Sequence, residues 1–124
     1  MPHKSRIAAF VIDSKTDAAT AAKFWSKALR RKVQPVDDPA DTYRSLEASP
    51  DEPMVLIQQV KHAPRIHLDI EADDIEAEVK RLEGLGAKRL QKIQTWVVME
   101  APTGQRFCVV RPQNTGFDQD ANTW

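Results

Sequence analysis

His67 and Asp69, two residues that can donate or accept a proton, are separated by one residue in the stretch RIHLDIEADD, which runs from Arg65 to Asp74. If this stretch is a β-strand, His67 and Asp69 lie on one face, because side chains alternate between the two faces. A carboxylate beside an imidazole favours the protonated ring, so the two residues could act as an acid–base pair. The His67 imidazole could equally bind a transition metal. A strand histidine that is merely hydrogen-bonded to Asp69 or Arg65 fits the same pattern.

Three other residues could contact a ligand. Cys108, the single cysteine, could bind zinc as a thiolate, but cysteine is also a small hydrophobic residue, and we favour packing. Trp96, in the stretch TWVV, could stack on a planar ligand, although packing in the core or at its rim is the commoner role. Gln58 offers an amide oxygen, which is a weak metal ligand. His3 and His62 each stand beside a lysine, and we expect both to be solvated.

The first half of the chain contains the elements of one unit. RIAAFVID, from Arg6, is predicted to be a strand, and SKTDAATAAKFWSKALRRK a helix with Trp25 on its buried stripe. Thr16 or Asp17 can cap this helix. Three short strands are predicted to follow, KVQPV, TYRSLEA and MVLIQQV.

The same order begins again at Arg65. RIHLDIEA is predicted to be a strand whose apolar face, formed by Ile66, Leu68 and Ile70, packs against the helix DDIEAEVKRLEGLGA. Asp73 and Glu76 have the spacing of a capping box. The stretches AKRLQKI, TWVVMEA and QRFCVVR are predicted to be the next three strands.

This repetition predicts an α+β fold with two βαβββ modules in one chain. The modules are expected to span about 5–61 and 64–112, within a single domain that covers residues 1–112. Residues 113–124 are polar and aperiodic, and we expect an extended tail. Its Phe117 and Trp124 are predicted to pack on the body or on a neighbouring chain.

Two stretches carry a resemblance to a known superfamily, RIHLDIEADDIEAEVKRLEGLGAK and WVVMEAPTGQRFCVV. They resemble the vicinal oxygen chelate superfamily, which includes glyoxalase I, extradiol dioxygenases and bleomycin-resistance proteins. The chain looks most similar to small glyoxalase-like domain proteins. The resemblance implies that the modules form a cupped sheet with helices on the outer faces. It also implies a small ligand inside the cup and a homodimer.

The resemblance further implies four metal-ligand positions, of which two fall on His67 and Cys108. The position on the first strand falls on Phe10 or Ala9, and neither side chain has a lone pair to offer. The remaining position falls on Gln58 or the glutamine after it. Catalytic metals need about three protein ligands. We therefore predict no firmly bound metal and no cofactor.

Composition excludes some classes of partner. Among 124 residues, eighteen basic side chains balance eighteen acidic ones, so the formal net charge is zero. Such a chain has no basic field for nucleic acid or for an anionic membrane. The single cysteine and the absence of a long apolar run predict a cytoplasmic protein.

Three hypotheses about function remain open. The first is that a small organic molecule binds in the cup, near His67, Asp69, Gln58, Trp96 and Cys108, without a firmly bound metal. The second is a metal-dependent lyase, isomerase or dioxygenase that uses His67 and Cys108. The third is a non-catalytic dimeric module whose tail mediates assembly. Whether the protein is an enzyme stays open at this point.

Overall fold

The computed structural model describes residues 2–124, which contain eight strands and three helices. The predicted α+β class is confirmed. The elements are β1 Lys4–Ser14, α1 Ala18–Leu29, β2 Tyr43–Leu46, β3 Met54–Gln59, β4 Arg65–Ala72, α2 Ile75–Gly84, β5 Lys88–Ile93, β6 Trp96–Glu100, β7 Arg106–Val110, α3 Phe117–Asp120 and β8 Asn122–Thr123. No helix within these residues is both long enough and apolar enough to cross a bilayer.

The chain forms two compact units. One unit contains residues Ala9–Ile66, and the other contains the residues up to Ala8 together with His67–Trp124. In the first unit the strand order is β2-β3-β1, and in the second it is β1-β4-β7-β6-β5, with β8 paired to β1. Strand β1 therefore contributes its second half to one unit and its first half to the other.

In the Ala9–Ile66 unit, α1 packs on β2 and β3. Strands β1 and β3 are parallel and β2 and β3 are antiparallel. The side chain of Asp17 accepts a hydrogen bond from the backbone N–H of Thr20 at 3.0 Å, which confirms one of the two predicted caps. Trp25 packs against the core, as predicted. The buried core of this unit consists of Ala21, Ala22, Leu46 and Ile57.

The predicted strand KVQPV is wrong. Only Val33 forms an isolated bridge, to Leu46, and the backbone N–H of Gln34 donates to the carbonyl of Ser45 at 2.8 Å. The next residue, Pro35, has no N–H and a fixed φ, so the ladder cannot continue through it. The first module therefore consists, in chain order, of a strand, a helix, a single bridging residue and two strands.

The second unit has the predicted order of strand, helix and three strands. Strand β4 pairs in parallel with β7, and β6 is antiparallel to both β5 and β7. Helix α2 covers this part of the sheet, above a buried core of Ala72, Val79, Val97, Met99 and Val109. The cap differs from the prediction by one residue. Asp74 accepts from the backbone N–H of Ala77, whereas Asp73 accepts from the backbone N–H of Lys4.

The faces of β4 are not covered as predicted. Ile66 and Leu68 are 64% and 38% exposed, whereas Asp69 and Glu71 are buried. Helix α2 packs against β5, β6 and β7, so it leaves the first residues of β4 uncovered. The polar face can be buried because its charged groups have partners. Glu71, for example, accepts a hydrogen bond from the Nε of Arg6 at 2.7 Å.

The segment after residue 112 is not simply an extended arm, because it contains α3 and β8. Phe117 is buried, and β8 pairs with the start of β1. The Trp124 indole N–H donates to Ser5 Oγ at 2.8 Å, and the Arg81 guanidinium lies 3.7 Å from the centre of the Trp124 ring. Both predicted aromatic residues of the tail thus contact their own chain.

The expectation for His3 is also wrong, whereas that for His62 holds. His3 is only 8% exposed, and its Nε2 lies 2.8 Å from Oε1 of the buried Glu78. The polar stretch at the N-terminus gives no sign of this partner, which lies 75 positions away. His62 is exposed, as predicted.

Candidate functional site

Strands β4 and β7 bring three predicted site residues together. Asp69 and Cys108 are direct partners in the parallel β4–β7 ladder, so their side chains lie on the same face of the sheet. His67 lies two residues before Asp69 and shares that face. One potential ligand atom from each of these residues lies within 4.8 Å of the other two. These three residues are called the His67 cluster below.

The cluster is shielded from bulk water but not sealed. His67 Nε2 lies 3.5 Å from Asp69 Oδ1, and the two side chains are 11% and 9% accessible. Cys108 is a free thiol of intermediate burial. At this distance the imidazole and the carboxylate can form an ion pair when the ring is protonated, and the thiol adds a weak donor and a soft ligand atom.

Trp96 lies on the same face of the sheet as the cluster. In the antiparallel β6–β7 ladder Cys108 is opposite Val98, and Trp96 is two residues from Val98 along β6. Alternation therefore points the indole to the cluster's side of the sheet. Trp96 is of intermediate burial, so part of its surface remains accessible. The position of Trp96 is compatible with contact to a ligand at the cluster, and its role in a ligand site stays a prediction.

Gln58, the fifth predicted site residue, belongs to the other compact unit. It lies on β3, opposite Asp13 on β1 and Tyr43 on β2. Its Nε2 donates to the hydroxyl of Tyr43 at 2.8 Å. A role of Gln58 in ligand binding therefore stays a prediction.

The strand that carries His67 and Asp69 also carries a buried carboxylate that the sequence did not single out. Glu71 is fully buried, and its Oε1 accepts from the backbone N–H groups of Gln113 and Asn114 at 2.7 and 3.1 Å. Its Oε2 accepts a hydrogen bond from Arg6. The Glu71 carboxylate thus joins β4 to Arg6 and to the backbone of the segment after β7. Alternation on β4 was the available signal, but the partners lie too far along the chain to be inferred from it.

The His67 cluster fits a divalent transition metal better than the sequence alone indicated. Counting from sequence omitted Asp69 as a ligand and reached fewer than three good donors. An imidazole nitrogen, a carboxylate oxygen and a thiolate sulfur are ligands that zinc accepts, and three protein ligands leave a coordination place open for substrate. The donor set is therefore compatible with a divalent transition metal such as zinc. Phe10 and Ala9 contribute no donor of their own.

The fold and the repeated strand–helix–strand order define a class of small α+β proteins built from two similar modules. Residues 9–110 match the family model of the glyoxalase-like domain. The chain belongs to this family, and thus to the vicinal oxygen chelate superfamily. No curated protein sequence is significantly similar to the chain.

Solved structures with low sequence identity share the fold. A hypothetical protein from Bacillus halodurans is 11% identical with a TM-score of 0.64, over 90% of this chain and 96% of that one. Methylmalonyl-CoA epimerase from Mycobacterium tuberculosis is 15% identical with a TM-score of 0.57, over 87% and 88% of the two chains. A glyoxalase/bleomycin resistance protein/dioxygenase superfamily member from Vibrio splendidus is 18% identical with a TM-score of 0.51, over 85% and 98%. At these identities the likeness concerns the fold alone.

Proposed function

We propose that this glyoxalase-like protein binds a small organic molecule at the His67 cluster, without requiring a firmly bound metal. The observation that supports the proposal is the convergence of an imidazole, a carboxylate and a thiol on one face of two adjacent strands. All three side chains retain some accessible surface. Polar groups that converge in a largely dry environment are the usual sign of a small-molecule site.

The chemistry of the cluster indicates the kind of ligand. The imidazole, 3.5 Å from the Asp69 carboxylate, can donate a hydrogen bond to a carbonyl or carboxylate oxygen of the ligand. The carboxylate can accept one from a hydroxyl group. The same pair could move a proton on a bound molecule, which would make the protein an acid–base enzyme. The ligand class proposed is therefore a small molecule with oxygen substituents, and Trp96 is available on the same face for an apolar or planar part.

A second candidate function is the binding of a divalent transition metal, and one specific observation supports it. The three donor atoms within 4.8 Å of one another could hold zinc or a similar ion through His67, Asp69 and Cys108. A bound ion would supply Lewis-acid polarisation of a ligand oxygen. Metal-dependent lyase, isomerase or dioxygenase activity belongs to this candidate.

One set of measurements separates the two candidates. Protein purified without chelator or histidine tag is analysed for metals, and the wild type, His67→Ala and Cys108→Ser are screened for thermal shifts with oxygenated small molecules. A ligand at a hundred times its dissociation constant adds about 2.7 kcal/mol of stability. His62→Ala serves as the control, since this histidine is exposed.

Each result favours one candidate. Metal-free protein with a ligand-induced shift that disappears in His67→Ala supports the metal-free site. About one equivalent of metal, lost in His67→Ala and Cys108→Ser but retained in His62→Ala, supports the metal site instead. Metal-free protein without a shift across a broad library contradicts both.

Homodimer formation and cytoplasmic location remain predictions. The version in which the tail mediates assembly has less support, because Phe117 and Trp124 contact their own chain. Light scattering of the intact protein and of a form truncated before Gly116 measures both the dimer and the part that the tail plays in it.

A further inference from the structure

An open groove runs along α1 in the Ala9–Ile66 unit and shares no residue with the His67 cluster. Its volume is about 250 Å³, which is small beside the pockets of drug-sized ligands. Its apolar surface comes from alanine and valine side chains, and its charged groups are two lysines and an arginine. The lining residues are Ala19, Ala22, Lys23, Ser26, Lys27, Val33 and Arg44.

Arg44 brings a buried positive charge to the groove. It is only 6% exposed, and its guanidinium donates to the backbone carbonyls of Pro39, Asp41 and Tyr43 at 2.7 to 2.9 Å. Within residues 2–124 no carboxylate lies within ion-pair distance of it. Neutral carbonyls satisfy N–H groups, but they do not cancel the charge, and a buried charge without a counter-charge is costly.

One carboxylate does interact with Arg44 at longer range. The pKa of Asp17 lies below its ordinary value chiefly because of hydrogen bonds from Thr20, and Arg44 makes only a minor contribution. Asp17 is already occupied as the cap of α1. It is therefore not an ion-pair partner of Arg44.

Two lysines on the same face of α1 add to this charge. Lys23 and Lys27 are four residues apart, a spacing at which side chains on a helix are neighbours and like charges repel. Neither lysine forms an ion pair with any residue that the structure describes. The Ser26 hydroxyl donates to the carbonyl of Arg31, and the Arg44 guanidinium donates to backbone carbonyls. The two lysine ammonium groups are therefore the donors that can reach a ligand in the groove.

We propose that this groove binds a small organic monocarboxylate with a compact apolar body. Lys23 and Lys27 would pair with the carboxylate, Arg44 would add long-range attraction, and Ala19, Ala22 and Val33 would contact the apolar part. A phosphate group needs several converging hydrogen-bond donors, whereas the Arg44 guanidinium already donates to carbonyls and the groove surface is largely apolar. The proposal is independent of the function assigned to the His67 cluster.

The test is an NMR titration of the full chain with three probes. Benzoate carries both the charge and the apolar body, benzamide carries only the body, and inorganic phosphate carries only the charge. A ligand of this size is expected to bind in about the millimolar range. Benzoate is expected to shift the backbone amides of α1 and Val33, with an affinity about tenfold above that of either other probe.

Two variants and a control test where the probe binds. The double variant Lys23→Glu, Lys27→Glu is expected to lose benzoate binding by about tenfold or more, and Ala19→Leu is expected to block the groove without changing its charge. Lys61→Glu, an exposed lysine outside the groove, should leave the affinity unchanged. Equal binding of benzamide or of phosphate, shifts that avoid α1, or an equal loss in Lys61→Glu would each overturn the proposal.

Discussion

The most informative stability test concerns Glu78, a fully buried carboxylate in the first turn of α2. Its Oε1 accepts from Arg81 Nε at 2.9 Å and lies 2.8 Å from His3 Nε2, while its Oε2 accepts from an Arg81 terminal nitrogen at 2.8 Å. Replacing Glu78 with glutamine keeps the shape but removes the charge and one acceptor oxygen. We expect the free energy of unfolding to fall by about 3 kcal/mol at pH 7.

This magnitude follows from what the substitution leaves behind. A hydrogen bond to a charged group contributes about 1.5–3 kcal/mol, and removing one partner of a buried ion pair costs about 3–5 kcal/mol. The side-chain carbonyl of the introduced glutamine could still accept one hydrogen bond, and Arg81 reaches water because its side chain is 25% exposed. Both facts place the expected loss at the lower end of the range.

The same helix offers a matched control in Glu76. It accepts two hydrogen bonds from Arg89 at 3.0 and 2.8 Å, a two-point arrangement like that of Glu78 and Arg81, but its side chain is 51% exposed. Exposed ion pairs contribute little, so Glu76→Gln should cost less than about 0.5 kcal/mol. The two variants differ chiefly in burial. Equal losses in urea denaturation would refute the reasoning.

The pH dependence provides a second readout. Burial by itself raises the pKa of Glu78, but hydrogen bonds from Arg81, His3 and Ser5 outweigh it and hold the pKa below the ordinary 4.5. A carboxyl with a lowered pKa stabilises the fold above pH 4.5, and this contribution is lost as the pH falls through the folded-state pKa. The difference between wild type and Glu78→Gln should therefore be constant near neutrality and shrink below pH 4.5. A difference that persists undiminished at low pH would show that the charge is not its source.

Four further positions of the second unit are probed by substitution. Glu71 is buried, and Arg6 and two backbone N–H groups donate hydrogen bonds to it. Glu71→Gln should therefore lower the free energy of unfolding in urea by about 2–4 kcal/mol and loosen the segment after β7. A loss below about 1 kcal/mol would contradict this. Gly104→Ala should lower stability by about 1 kcal/mol because φ is +97° there, although the space for a methyl group is open. Gly84→Ala, with equally open space and no positive φ, should be neutral or stabilising by about 0.5 kcal/mol. Trp124→Ala should cost about 1–2 kcal/mol through the lost contacts with Ser5 and Arg81, as thermal unfolding would show.

Much of the second module could be predicted from the sequence because its signals are local. The alternation in RIHLDIEA matches β4 at both ends, and α2 lies within the stretch predicted to be a helix. The first module was less predictable, since KVQPV has the composition of a strand but Pro35 interrupts the ladder after one bridge. Local pattern identified the elements of the second module up to β7 but missed α3 and β8 in the tail, which has no clear period.

The candidate site was only half predictable. His67 and Asp69 share a face by strand alternation alone, so the sequence determined that pair. That Cys108 lies beside them was expected from the resemblance alone, because the register of β4 on β7 joins Asp69 to a residue far along the chain and has no local signal. The register therefore decided whether the chain has two donor atoms together or three.

The sequence by itself determined the α+β class, the order of elements in the second module and the two faces of β4. Only the tertiary structure decided which residues of β4 are buried, and they include the polar Asp69 and Glu71 as well as Ala72. It also placed His3 on Glu78 and the tail on its own chain. The physical reason is that side chains alternate along a strand, so the sequence alone assigns each residue to one of two faces. Which residues are buried depends on the elements that pack on each face and on hydrogen-bond donors from distant parts of the chain.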